Sequence, residues 1–462
     1  MNTGCEHGLA KLDYFRMFPS VPGTAFDVEG LRSIARTRYR AGSTSGIPAG
    51  YTYLGQFVGH DLTFMSQTTD EPGRGPIEAT QITNLVSPTL DLDGLYGNPG
   101  VVPMNGALLL SNRMGNGSGR NRLIVDVPRR GRPGDLEADI GDPRNDQNMM
   151  LSQLHVLFMN LHNRMAVDMR ARRATDLAAV RRQVTLIYQL VVVRDYLRRL
   201  LHPEVYAYLF PPQWSAMPKN KGILQPTPGT RARIPIEFSA AAFRFGHSII
   251  RRRYRVSADR TLSIDELLQR SQRREPAYAV DWKYQLDMRA YGGPAPQQSM
   301  PIDFAFEVPE LPTRNLERGL EVDLPDAQAL LQAIRAVPKY RTLVSQSKIN
   351  TGPAGYPFHQ VMVDWQYDQL TPLWLYIVLE AQATQQLGKQ TLGVLGSVIV
   401  GETIRAVLAS SRDSIYHLSE QELAELAFFG AYAATVPNPR PDLNPHNVEL
   451  GDVAAYATQK IS

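Results

Sequence analysis

Cysteine is nearly missing from this chain: Cys5 is the only one in 462 residues. That excludes an intrachain disulfide and any cluster of metal-bound thiolates. It permits a reducing compartment without demanding one. Long apolar runs are missing too. A membrane span needs roughly 20 apolar residues, and the nearest stretches, Pro372 to Leu379 and Leu392 to Val400, are short enough to be buried helix. The N-terminus lacks a basic segment followed by an apolar one, so no cleavable secretory signal is expected. By default the chain stays in the cytoplasm or leaves without a leader. The charge excess is small, +4 with a pI of about 9.0. Basic tracts such as Arg251-Arg252-Arg253 are short and carry no regularly spaced aromatics, so nucleic acid is not an expected partner. There is no H-E-x-x-H, no Walker loop and no G-x-G-x-x-G. Strand-like alternation is scarce, and no internal repeat is visible.

What the chain does have is helical periodicity. Asn148 to about Arg173 is the clearest case, with Leu151, Leu154, Leu157, Phe158, Leu161 and Met165 recurring at three and four. Further helices are expected over Tyr51 to Met65, Leu177 to Leu200, Phe238 to Ile250, Pro372 to Thr384 and Leu392 to Leu408. Ser263-Ile264-Asp265-Glu266 and Ser419-Glu420-Gln421-Glu422 match capping boxes, the second opening a helix to Phe429. Asp70 to Ile140 is dense in Gly, Pro, Asn and Asp and reads as long loops. Residues 1–50 have little periodicity and read as a wrapping arm of the same domain that continues over 51–462. The expected fold is mainly α: a single large helical domain with long loops and little β structure. Loops of this length suit a chain organised by a large cofactor or a bound ion.

Three segments carry chemistry: Gln56-Phe57-Val58-Gly59-His60-Asp61, Asp142-Pro143-Arg144-Asn145-Asp146-Gln147, and Ala242-Phe243-Arg244-Phe245-Gly246-His247. His60 ends an apolar helical stretch with Gln56 one turn earlier on the same face. A neutral imidazole near pH 7 takes up a proton and gives it back. Arg144 offers a fixed positive charge for developing negative charge. His247, on a second apolar stretch, offers a metal ligand, and such a ligand needs a partner for its other ring nitrogen. Each has an ordinary reading beside it. His247 alone reads as a satisfied core histidine, and Arg144 alone as a surface arginine at a helix start. Together they are the parts that a haem cleaving peroxide requires. His155 and His162 lie two turns apart, the wrong spacing for a zinc pair, and are expected to pack or hydrogen-bond.

Taken in order, the segments resemble the animal-type haem peroxidases of the peroxidase–cyclooxygenase superfamily, especially its compact bacterial members. The matching stretches begin at Tyr14-Phe15-Arg16-Met17-Phe18-Pro19. They continue through Leu54 to Asp61, Leu90-Asp91-Leu92-Asp93-Gly94-Leu95-Tyr96-Gly97, Asp142 to His155 with His162-Asn163-Arg164, Phe238 to His247, and Arg314 to Gly319. The resemblance implies a buried b-type haem. It makes His60 the distal acid–base residue, Arg144 its charge partner, and Gln56 a hydrogen-bond partner of the distal water or a halide. It makes His247 the proximal iron ligand, Asn315 its partner, and Arg244 a propionate contact. It also implies a structural calcium held by Asp61, Ser87, Thr89, Asp91 and Asp93, the last standing where the family usually has serine.

Two departures from the family pattern stand out. The positions that esterify haem in many members are Gly59 and Gln147, and the sulfonium position of myeloperoxidase is Asn148. A haem held without covalent links is therefore expected. Where cyclooxygenases carry a radical tyrosine, this chain has Arg244. The expected activity is reduction of hydrogen peroxide through an oxyferryl intermediate. The donors would be phenolic, aromatic or small anionic species (iodide, bromide, thiocyanate), as in a response to oxidative stress, and the chain would be a monomer or homodimer. The alternatives are a haem-dependent lipid or metabolite oxygenase of the same fold and a non-catalytic haem-binding interaction protein.

Overall fold

In a computed structural model, residues 14–39, 45–66, 76–97, 124–132, 135–170, 174–213, 222–230, 232–269, 279–384 and 390–458 are described. Cys5 lies outside them. The chain is about 52% helical. Among the described residues the regular β structure is two antiparallel hairpins, Arg129–Arg132 with Asp135–Ala138 and Arg253–Arg255 with Thr261–Ser263. No helix among them is long and apolar enough to cross a membrane.

The centre is a set of helices apolar on every side, the pattern of elements buried all round. They are α4 (Met149–Asp168), Leu373–Thr384 and Val394–Ser410. Asn148 starts α4 as its cap, the side chain accepting from the Leu151 amide at 2.9 Å. Against α4 pack α2 (Gly50–Leu62) and α5 (Ala174–Leu190). The sequence reads Leu177 to Leu200 as one helix. In the structure α5 gives way at Val191 to wider π turns over Val191–Leu197. That segment presents Tyr196 to Gly55, where a Cβ would come within 2.4 Å of the phenol oxygen. Glycine at 55 therefore sets how closely α2 approaches.

Two expected helices are broken. Phe238 to Ile250 is a short helix, Ile236–Ala240, followed by a separate 3₁₀ segment, Ala242–His247. Between them Ala241 leaves helical geometry at φ −133°, ψ −72°. The helix from Ser419 ends at Ala424 and a second runs over Ala427–Thr435, because Leu426 is extended at ψ 130°. Both capping boxes form. The periodicity also passes over α1 (Val28–Arg36) within the arm, and over Leu311–Glu321, whose apolar face is narrow.

The arm threads back onto the proximal segment. Phe15 exchanges backbone hydrogen bonds with Ile234 and Ile236 at 3.3 and 2.8 Å. The Met17 amide donates to both oxygens of Glu237 at 3.0 and 3.1 Å, and Arg16 pairs with Asp323 at 2.9 Å. Burial pushes the Glu237 carboxyl up to about 7. A carboxyl that holds its proton more tightly folded than unfolded costs nothing below its unfolded value. It destabilises the fold increasingly as pH climbs to the folded value. From about pH 5 to about pH 8 the parent chain should therefore lose more stability than Glu237→Gln, whose amide oxygen still accepts from Met17. Thermal unfolding at both pH values checks this, and identical losses would assign the pH dependence elsewhere.

Candidate active site

The helix α2 and the 3₁₀ segment Ala242–His247 face one another. A Cβ built at Gly59 would touch only the Phe243 ring, at 3.5 Å, and one at Gly246 would meet nothing within 4 Å. His60, His247, Phe243 and Arg244 are partly exposed although they sit deep in the molecule. The two histidines thus border an open crevice rather than packed core.

On the His247 side, a 3₁₀ turn of 3.0 residues stacks positions three apart. It places Arg244 and His247 together on Asn315 of the helix Leu311–Glu321. The Asn315 side-chain oxygen takes a hydrogen bond from Arg244 Nη1 at 3.2 Å and contacts His247 Nδ1 at 2.9 Å. An atom that accepts from a guanidinium is the amide oxygen, so Nδ1 must carry the proton and Nε2 keeps its lone pair. Burial and then the Arg244 charge hold the imidazole neutral, its pKa lowered to about 4. Nε2 has no hydrogen-bond partner among the described residues. This is the donor state of a metal-ligating histidine. Ser239 fixes Arg244 from behind, its carbonyl accepting from Nε at 3.1 Å.

The His60 side repeats the device with a residue that sequence reasoning missed. His60 Nδ1 lies 2.9 Å from Asn145 Oδ1, and Asn145 Nδ2 lies 3.4 Å from Nδ1 of buried His155. Burial holds His155 neutral, lowered to about 4, so it is able to accept from the amide. Burial first, then Arg144, lowers His60 to about 4 as well. The ring is a neutral base at neutral pH, with Nε2 free to take a proton.

Arg144 is brought to the same place but its donors are engaged. Nε and Nη2 bind Asp142, Nη1 donates to the Thr63 carbonyl at 2.7 Å, and Nη2 to the His60 carbonyl at 2.9 Å. The guanidinium therefore caps the C-terminal end of α2, where a cation is favoured, and its charge reaches His60 through space. It also lies over the Phe64 ring, 4.0 Å from the centroid. Gln56 contacts Gln147 at 3.4 Å and Asn148 at 3.3 Å. The three neutral amides make one group.

Asp61, next to His60, faces a different neighbour. Leu90 and Leu92 adopt left-handed φ of 52° and 58°, which coils the loop so that Asp61, Asp91 and Asp93 bring carboxylate oxygens within 4.8 Å of one another. Asp61 accepts from the Asp93 amide at 3.2 Å, Asp93 accepts from the Ser87 amide at 3.0 Å, and Ser87 and Thr89 share a hydrogen bond of 2.7 Å. One oxygen each of Asp91 and Asp93 is buried without a partner. Burial and then mutual repulsion push Asp61 well above the carboxylate range, and burial pushes Asp93 up to about 6. Crowded, unpaired carboxylate oxygens of this kind are a donor set for a hard cation.

The comparisons with known proteins bear on the fold and on a central segment of the chain. The family model described as animal haem peroxidase matches residues 63–285, a span that contains Asp91, Asp93, Arg144 and His247 and stops short of Asn315. Thyroid peroxidase of Homo sapiens is 32% identical over 133 residues, 27% of this chain and 13% of that protein. The Sus scrofa protein is 32% identical over 115 residues, 24% of this chain and 11% of that one. The matches thus span only a small fraction of those relatives. Over the fold, peroxidase A from Dictyostelium discoideum aligns with a TM-score of 0.57 at 14% identity, covering 94% of this chain and 95% of that one. A fatty acid alpha-dioxygenase of Arabidopsis thaliana aligns at 0.62 and 13%, covering 94% and 76%. Residues 63–285 thus match an animal haem peroxidase domain, and family model, relatives and fold together support membership of the peroxidase–cyclooxygenase superfamily.

Proposed function

We propose that the chain is a haem peroxidase that reduces hydrogen peroxide and oxidises phenolic, aromatic or small anionic donors. The observation that supports this best is the pair of neutral imidazoles, each pinned at Nδ1 by an asparagine oxygen and each with Nε2 unengaged, on the two sides of one crevice. The residues present suit haem: a ligand nitrogen at His247, space beside Gly246, and the Arg244 guanidinium for a carboxylate side group. When bound, haem would supply an iron centre that binds peroxide and gives up the two electrons that reduce it.

The chain's own residues supply the rest. His247 Nε2 would ligate the metal, and Asn315 would keep the ring from turning. His60 Nε2 would take the proton from the near oxygen of peroxide and return it to the far one, so that water leaves. Asn145 keeps that ring's lone pair at Nε2 throughout. Arg144 would act through its field, since its hydrogen bonds hold the end of α2. Two one-electron donors complete the turnover. The oxygenase reading finds less support, because Arg244 is hydrogen-bonded where a radical chemistry of the cyclooxygenase kind needs a phenol. For the carboxylate cluster we propose Ca2+, bound by Asp61, Asp91 and Asp93 with Ser87 and Thr89.

Apoprotein mixed with hemin should develop a Soret band that shifts on adding peroxide. His60→Ala should retain the band and slow that shift about 10²–10⁴-fold. A bound haem that ignores peroxide in the parent chain would favour a non-catalytic interaction protein. Acidified organic solvent should extract the pigment completely, because Gly59 and Gln147 offer no ester-forming carboxylate; colour left on the polypeptide would refute this. A calcium chelator should lower the melting temperature by several degrees and Asp61→Asn should remove that response; equal melting with and without chelator would leave the cluster without its cation.

A further inference from the structure

Helix α4 buries two histidines, His155 and His162, that take no part in the chemistry proposed above. His162 is accounted for by the Tyr96 hydroxyl, 3.0 Å from its Nδ1. His155 is met instead by an amide, and that amide is the one that faces His60. His155 Nδ1 lies 3.4 Å from Asn145 Nδ2, a long hydrogen bond, and Asn145 Oδ1 lies 2.9 Å from His60 Nδ1. His155 and Asn145 are 1% and 2% exposed, so this chain of contacts runs away from solvent.

A carboxamide has two ends of nearly equal size and opposite hydrogen-bonding character. Turned over, Asn145 would offer Nδ2 to His60 and Oδ1 to His155. Every contact would still be met, with His155 protonated at Nδ1 and His60 at Nε2. His60 would then have no lone pair toward the crevice. Contact with His60 alone does not choose between the two arrangements, so the choice falls to the far end of the amide. A neutral His155 with its proton on Nε2 presents a lone pair at Nδ1, which accepts from Nδ2 and leaves Oδ1 for His60. Burial keeps His155 neutral. Its ring meets the Phe57 ring edge to face, with centroids 6.2 Å apart, and Phe57 stacks on Phe158 of α4 at 5.3 Å. Gly94 closes on the amide from the loop side, where a Cβ would lie 3.0 Å from Nδ2. The observed arrangement also suits turnover. Once His60 has taken up a proton at Nε2, its Nδ1 still carries one, and of the two ends of the amide only the oxygen is able to meet it.

We propose that His155 is a positioning residue for the distal base: its Nδ1 lone pair fixes the Asn145 amide, and the amide fixes the lone pair of His60 at Nε2. The consequence for turnover rests on the peroxidase reading above; the geometry rests on the contacts among the three side chains.

The full chain, labelled at its histidine nitrogens for NMR, reports which ring nitrogen carries the proton without haem or peroxide. The signals of His60 and His155 are identified by their loss in His60→Ala and His155→Phe. In the parent chain His60 should be protonated at Nδ1 and His155 at Nε2. His155→Phe keeps a ring against Phe57 but has no lone pair, and His60 should then show a mixture of both tautomers. His155→Asn returns an acceptor and should restore protonation at Nδ1. With hemin bound, His155→Phe should slow the reaction with peroxide about 2- to 10-fold, the worth of one neutral hydrogen bond, and His155→Asn should recover most of the rate. A parent chain with His60 protonated at Nε2 overturns the proposal, and that result needs no variant to fold. An unchanged His60 tautomer in folded His155→Phe overturns it too, as does equal slowing by both substitutions, which would make packing the cause. The expected tautomers in a chain that takes up no hemin would leave the contact chain standing and overturn the peroxidase reading instead.

Discussion

Two carboxamide oxygens determine what two histidines are able to do. An imidazole has two nitrogens, and its chemistry depends on which one carries the proton. Asn315 Oδ1 fixes the proton of His247 on Nδ1, and Asn145 Oδ1 does the same for His60. Both rings are buried enough to stay neutral, so each keeps one lone pair at Nε2. Under the proposed function that lone pair would be a ligand on the proximal side and a base on the distal side. One device thus supplies two roles, and the difference comes from what else faces each ring.

The helix α2 carries more than its histidine. His60 and Asp61 are neighbours, about 100° apart around the axis, so one side chain borders the crevice while the next enters the carboxylate cluster. The loop that completes the cluster returns to Asn145. A Cβ at Gly94 would lie 3.0 Å from Asn145 Nδ2, and the Gly94 carbonyl accepts from the Gly141 amide at 2.9 Å. Arg144 closes the arrangement by binding the last carbonyls of α2. A disturbance of the acidic loop therefore acts on the very amide that sets the His60 tautomer.

Much of this was legible in the sequence and some of it was not, for identifiable reasons. The fully buried helices announce themselves by apolar periodicity, and α4 runs nearly where Leu151 to Met165 place it. His60, Arg144 and His247 stand out because few side chains do acid–base, charge or ligand chemistry. The break at Ala241 leaves no mark, since Ala240-Ala241-Ala242-Phe243 contains no glycine or proline and alanine favours helix; the segment beyond the break packs against Leu373–Thr384 and α2. Asn145 was hidden by its position. Next to Arg144, at the start of a helix, an asparagine reads as an ordinary capping residue. Asn315 was reached only through family resemblance. Tyr14 belongs to one of the matching stretches, but nothing in the letters says that its ring ends up fully buried. Tertiary surroundings assign that property, and no local pattern encodes it.

The charge arrangement of the crevice gives the departures at Gly59 and Gln147 a physical consequence. An ester-forming carboxylate at either position would bring negative charge to the crevice before the cofactor arrived. Here those positions offer no charge: Gln147 joins Gln56 and Asn148 in a neutral group, and Gly59 has no side chain. Arg144 is neutralised by Asp142, but Arg244 has no such neighbour. The crevice is therefore short of anions on its proximal rim. A ligand that arrives with its own carboxylates corrects the imbalance on binding, and does so reversibly. Electrostatic fit and hydrogen bonding at the rim, rather than covalent attachment, would then decide how firmly haem is held.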